Sequence, residues 1–150
     1  MGRIVSVKPR RLLFAFLFGA AFSLPAPADE LRLVLVASAK SNVAGMMPAE
    51  VRRLYLGIPI IRDGKEIIPV LNTSDPMIQE VFLQRVLFMS AHAYVRQMTA
   101  RVYRSGGNRI RNYNDFRNLV EALVEDPQSV TYMPYETAST LSGIKIIASL

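Results

Sequence analysis

Three stretches of the chain carry side chains whose chemistry suits a small anion. The first is Asn72-Thr73-Ser74-Asp75-Pro76, which supplies an amide, two hydroxyls and a carboxylate just before a helix start. Asp as N-cap with Pro in the first turn is a strong helix signal, and free amides there favour negative charge. The same residues suit an anion site or a cap that satisfies only its own helix. The second stretch is Ser38-Ala39-Lys40-Ser41-Asn42, with hydroxyls, an amide and an ammonium after an apolar run. It suits an oxyanion or an ordinary surface loop. The third is the set Arg101, Arg104, Arg109 and Arg111 around Gly106-Gly107. An Arg fork holds carboxylate or phosphate through two parallel hydrogen bonds. The alternatives are a solvated basic patch or a contact for an acidic partner or headgroup.

Nothing in the sequence has the spacing of a catalytic centre. His92 is the single histidine. It lies off the apolar stripe of its helix and has no cysteine or paired carboxylates at metal-ligand spacing, so it reads as a surface residue. Gly-x-Ser-x-Gly, P-loop and dinucleotide fingerprints are missing. Glu121, Glu125 and Asp126 fall at the solvent side of a helix end. The expectation is a protein with no catalytic residues, no metal and no cofactor.

The elements that must position these residues follow from periodicity. Leu31–Ala37 is a short apolar run with the character of a buried strand. Pro48 opens a helix carrying Val51, Leu54 and Tyr55, and Gly57 ends it. Residues 58–70 read as two extended segments around Asp63-Gly64. A helix is expected from Pro76 to about Met89. A second follows Ser90, with Ala91, Tyr94, Val95, Met98 and Val102 on one stripe. Phe116, Leu119, Val120, Leu123 and Val124 mark the buried face of another helix, stopped at Asp126-Pro127. Ser129–Met133 is a strand, Pro134–Leu141 a short helix closed by Gly143, and Ile144–Ser149 the last strand. This order predicts one layered α/β domain on a mainly parallel or mixed sheet. Ligands of such sheets sit beyond strand carboxyl ends, which points to the loops 38–47 and 72–76.

The first 28 residues read differently. Arg3, Lys8, Arg10 and Arg11 precede the uncharged run Leu12–Leu24, followed by Pro25-Ala26-Pro27-Ala28. That is a basic n-region, an h-region and an A-x-A-like site, so a secretory signal peptide is expected over 1–28, with the domain over 29–150 in the periplasm. An apolar run of 13 residues is shorter than the roughly 20 needed to span a bilayer. Four of the 18 Lys and Arg leave with the leader and no acid does, leaving 14 against 12, a net charge of +2. The high pI therefore belongs largely to the leader and gives no argument for nucleic-acid binding. Membrane contact is expected only through the leader during export. With no cysteine, disulfides and thiol chemistry are excluded.

A family resemblance rests on an ordered series of motifs. They are Arg52-Arg53-Leu54-Tyr55-Leu56-Gly57, Asp63-Gly64 with Ile68-Pro69-Val70, Val86-Leu87-Phe88-Met89-Ser90, Arg101 with Ser105-Gly106, and Tyr132. The series resembles the small single-lobe proteins related to phosphate ABC-transporter substrate-binding proteins, over nearly all of residues 31–150. The resemblance implies a type 2 periplasmic-binding-protein fold, here as a single lobe, and a binding role in solute transport. The leading reading is phosphate or another small anion as ligand, held by Ser38, Asn72, Thr73, Ser74 and Arg101, the last chosen because it matches the family segment. The alternative reading is a periplasmic interaction or sensory accessory protein that docks an ABC-transporter permease, a sensor kinase or a second copy of the chain through the lobe face left uncovered. The pattern departs from the family at the motif Arg, then Ser-Gly-Thr. Asn72 falls where the Arg would be, and Pro76-Met77-Ile78 on the Ser-Gly-Thr. Asp75 adds a negative charge there and Pro76 removes a donor. N-terminal sequencing of the exported protein is expected to begin at Asp29; a retained Met1 would overturn the leader reading.

Overall fold

The computed structural model describes Gly2 and residues 30–150. The signal peptide expected over residues 1–28, with its cut after Ala28, falls almost wholly outside the described residues. Leu31–Leu150 forms one compact unit. Its strands are β1 (Leu33–Ser38), β2 (Ile61–Arg62), β3 (Lys65–Glu66), β4 (Ile68–Asn72), β5 (Arg111–Tyr113), β6 (Ser129–Pro134) and β7 (Ile144–Ser149). Its α-helices are α1 (Pro48–Tyr55), α2 (Pro76–Phe82), α3 (Ala91–Ser105), α4 (Phe116–Glu125) and α5 (Tyr135–Thr140). Five strands make the central sheet in the order β5-β4-β6-β1-β7, while β2 and β3 form a separate hairpin. β4 runs parallel to β5 and to β6, and β1 runs antiparallel to both β6 and β7. The sheet is mixed, as expected.

β1 is apolar at every position but its last because both its faces are covered. Leu33, Leu35 and Ala37 pack with Val51, Leu54, Leu83 and Leu87 on one side. Val34 and Val36 pack with Leu123, Met133 and Ala138 on the other. Helices therefore lie on both faces of the sheet. On α4 the stripe is as expected, with Leu119 and Leu123 fully buried. On α3 it is narrower: Tyr94 is buried, but Val95 is 62% exposed.

Three elements differ from the sequence expectations. The helix from Pro76 does not run unbroken to Met89. It becomes a π-helical segment over Leu83–Leu87 and stops at Phe88, which takes the left-handed conformation with φ 57°. A bulky residue rarely adopts this conformation. Burial of Leu83, Val86 and Leu87 on the core side of the widened turn accompanies it, and Arg52 lies 4.9 Å over the exposed Phe88 ring. Residues 58–70 give a hairpin whose turn residues Asp63 and Gly64 both have positive φ, as a two-residue hairpin turn requires, and β4 follows separately. Strand β5 was not expected. Arg111-Asn112-Tyr113 has no apolar alternation, and it becomes a strand by pairing with β4 at the sheet edge.

The join between β4 and β6 is made largely by side chains. Registered parallel pairing covers only Ile68 with Ser129 and Pro69 with Val130. The Ile68 N–H donates to the Gln128 carbonyl (2.9 Å), so alternate residues of β4 face β6. Beyond these pairs, the Val70 carbonyl accepts from the hydroxyls of Thr131 (2.9 Å) and Tyr55 (3.1 Å). The Tyr55 hydroxyl also lies 3.2 Å from the Val130 carbonyl and shares its proton with it. Asn72 Nδ2 donates to the Tyr132 carbonyl (3.1 Å), and the Tyr132 hydroxyl donates to the Asn72 carbonyl (3.0 Å). Tyr94 donates to the Tyr55 carbonyl (2.8 Å). The Phe82 ring stacks on Tyr132 at 3.6 Å and meets Tyr55 edge-on at 4.8 Å.

Burial pushes the Tyr55 hydroxyl pKa well above its usual value, and the charges that Tyr132 and Tyr94 would carry push it further. Burial likewise raises Tyr94 and Tyr132. Unfolded tyrosines ionise near pH 10, while these three stay protonated in the fold. The folded state then holds more protons, so stability falls as pH rises above that point, by about 1.4 kcal/mol per pH unit for each such tyrosine. Urea midpoints measured on either side of pH 10 are expected to show this slope, and Tyr55→Phe to reduce it by about one tyrosine's share.

Candidate functional site

The five residues expected to hold a ligand fall in three separate places. Parallel β4, β5 and β6 point their carboxyl ends, Asn72, Tyr113 and Pro134, to one edge of the sheet. β1 is antiparallel, so Ser38 ends at the opposite edge, where Ala37 registers with Val130 and Ser38 with Ile144. Ile68 lies at that edge too, because it registers with Ser129. The four steps from Ile68 to Asn72 span about 13 Å of strand. Ser38 and Asn72 therefore do not meet.

Asn72-Thr73-Ser74 keeps the position expected for a ligand loop, beyond a strand and before α2. Its polar groups are mostly spent on the fold. Asn72 is 1% exposed. Its Oδ1 accepts from the Ser74 N–H (3.2 Å) and hydroxyl (2.6 Å), which closes a turn typical of Asn. The Thr73 N–H donates to the Tyr113 carbonyl (3.0 Å) and ties the loop to β5. Asp75 Oδ1 accepts from the N–H groups of Met77 (2.8 Å) and Ile78 (3.4 Å), so the cap is made by the chain's own carboxylate. The half-buried Thr73 hydroxyl has no hydrogen-bond partner among the described residues.

Ser38 is fully buried, and its hydroxyl donates to the Val124 carbonyl (3.3 Å) while accepting from the Lys40 N–H (3.3 Å). The neighbouring Ser41 caps its own loop by accepting from the Val43 N–H (3.1 Å), and Lys145 donates to the Ser41 carbonyl (2.5 Å). These contacts anchor the 38–47 loop to α4 and β7.

Arg101 occupies the third place, a cleft of about 1010 Å³ between the end of α3 and the starts of β4 and β5. Its guanidinium donates to the Gly57 carbonyl. Gly57 has φ 81°, and a Cβ there would lie 2.7 Å from Arg101 Nε, so glycine both turns the chain after α1 and leaves room for the arginine. Ile68 and Pro69 line the same cleft, at the far end of β4 from Asn72. Arg109 and Arg111 line it as well, whereas Arg104 donates to the Ala100 carbonyl (3.2 Å) along its own helix.

One cluster in this cleft escaped the sequence reading. Arg111 reaches Asp126 (3.4 Å) and the Ser129 hydroxyl (3.3 Å), and Ser129 donates to Asp126 (2.7 Å). Burial would raise the Asp126 pKa, but the Ser129 and Gln128 hydrogen bonds and the Arg111 charge outweigh it, and the value is lowered. Asp126 thus stabilises the fold above the ordinary carboxylate range and loses that contribution as pH falls through its folded value. The sequence distance from Arg111 to Asp126 carries no signal of the pairing. His92 is exposed. Among the described residues no group of three or more His, Asp or Glu is placed to hold a metal ion.

The chain matches no protein-family model and no curated protein by sequence. Its structure is similar to the crystal structure of an ABC-type phosphate transport receptor from Vibrio cholerae, with a TM-score of 0.57 and 14% sequence identity. The likeness covers 77% of this chain and 45% of the receptor, so the chain spans less than half the receptor's length. The class this defines is the periplasmic-binding-protein fold, built on a five-stranded mixed sheet.

The hydrogen bonds of the 72–75 loop separate its structural residues from its free one. Asn72→Ala leaves the Tyr132 carbonyl without its amide donor and is expected to cost about 1–3 kcal/mol. Thr73→Ala at a partnerless hydroxyl is expected to stay within about 0.5 kcal/mol. Urea denaturation of the two variants checks both.

Proposed function

We propose that this chain is an exported, non-catalytic protein of the solute-binding type, whose ligand class is phosphate or another small anion. The observation that carries the reading is the receptor-like fold with a hydroxyl loop at the carboxyl end of its parallel strands. Thr73 has a hydroxyl to offer, and Ser74 can turn its proton from Asn72 to a ligand. Ser38 and Arg101 stand outside this binding mode because they lie at the other sheet edge and in the cleft. Asp75 already holds the helix-start amides and repels an anion, so binding here is weak and falls with salt. Export rests on the basic, apolar and small-residue pattern of residues 1–28, and the periplasm is its destination.

A second reading is favoured by what else the same edge exposes. Met77, in the first turn of α2, is 64% exposed, and Tyr135, which opens α5, is 37% exposed beneath the Arg32 guanidinium. An apolar and cationic edge of this kind suits docking to a transporter permease, a sensor kinase or a second copy of the chain.

Calorimetry with inorganic phosphate separates the two. Saturable heat that is lost in the Thr73→Ala, Ser74→Ala double variant and strengthened in Asp75→Asn supports the anion reading. No heat with phosphate, together with self-association that Met77→Lys abolishes, supports docking.

A further inference from the structure

The cleft at Arg101 has a composition that the phosphate-type loop does not share. It is about 1010 Å³, at the upper end of the range for small-molecule pockets. Its lining includes the apolar residues Ile58, Ile68 and Ile110. It also includes charged residues. Arg111 is matched by Asp126. Glu66 is the one remaining acid among the lining residues beside Arg101 and Arg109, so the lining stays net positive.

Arg101 is the informative member. It is half-buried, yet no carboxylate pairs with it among the described residues. One of its five N–H donors goes to the Gly57 carbonyl, which fixes the guanidinium at the cleft wall. A partly desolvated cation with unused donors gains most from an anionic partner. Apolar surface beside it rewards a ligand that brings a hydrocarbon body with its charge.

We propose that this cleft binds an amphipathic monoanion, a carboxylate head on a short hydrocarbon chain, with the head on Arg101 and Arg109 and the chain along Ile58, Ile68 and Ile110. Inorganic phosphate lacks the apolar half and does not satisfy the site. The site lies at the opposite end of β4 from Thr73 and Ser74 and does not depend on the function proposed for them.

The test is a titration of the full chain with hexanoate, followed by isoleucine methyl resonances. Ile58, Ile68 and Ile110 are expected to shift saturably, with affinity on the order of millimolar, while the core Ile147 stays still. 1-Hexanol, which keeps the chain and loses the charge, is expected to bind about tenfold more weakly. Arg101→Gln is expected to lose about the same factor. Arg109→Gln, at an exposed position, is expected to weaken binding with unaltered folding and serves where Arg101→Gln does not fold. The Thr73→Ala, Ser74→Ala variant is expected to bind hexanoate as before. Non-saturating shifts, equal affinity for hexanol and hexanoate, or indifference to both arginine variants would overturn the proposal.

Discussion

The fold depends on how β4 is held to β6. Their registered ladder is only two pairs long. A buried carbonyl without a donor costs on the order of 1–3 kcal/mol, and the Val70, Val130, Asn72 and Tyr132 carbonyls all lie in this region. Hydroxyls of Tyr55, Thr131 and Tyr132 and the amide of Asn72 supply the missing donors. Among the described residues no buried side-chain N or O lacks a partner. The same tyrosine rings stack against Phe82, so hydrogen bonding across the sheet and packing of α1 and α2 onto it are one arrangement. A change to one aromatic ring therefore disturbs both.

This seam also explains what the loop after β4 can offer. Asn72 belongs to the seam as much as to the loop, and Ser74 and Asp75 turn their polar atoms inward to close the chain into α2. Structural use of polar groups leaves fewer of them for a ligand. The receptor-like fold is present, while the polar groups at the carboxyl edge of its parallel strands are largely self-satisfied. By contrast, the cleft at the other edge keeps cationic donors that the fold does not consume, in a lining that also holds apolar residues.

The irregular segment after α2 shows a related balance. The widened π-helical turn buries Leu83, Val86 and Leu87 and ends with Phe88 in the left-handed region, its ring outward under Arg52. Residue spacing predicts a plain helix through Met89, and the core contacts of three apolar side chains override that regular spacing. Val95 shows the same limit from the other side: it fits the helical stripe of α3 but faces solvent.

Much of the fold was legible in the residues themselves. The apolar stripe of α4, the Asp75-Pro76 and Ser90 helix starts, the Asp63-Gly64 turn and the doubly buried β1 each follow from local sequence, because capping, turn formation and periodicity act over a few residues. Strand direction is not local. That β1 runs against β4, β5 and β6 is decided by which neighbours it pairs with, and it sends Ser38 to the edge opposite Asn72. β5, the pairing of Arg111 with Asp126 and the seat of Arg101 at Gly57 likewise arise only when distant segments meet. The sequence by itself thus determined most of the elements and their chemistry. Only the tertiary structure decided which of those residues share a place, since hydrogen-bond pairing between strands and close packing around a glycine depend on neighbours that are far away along the chain.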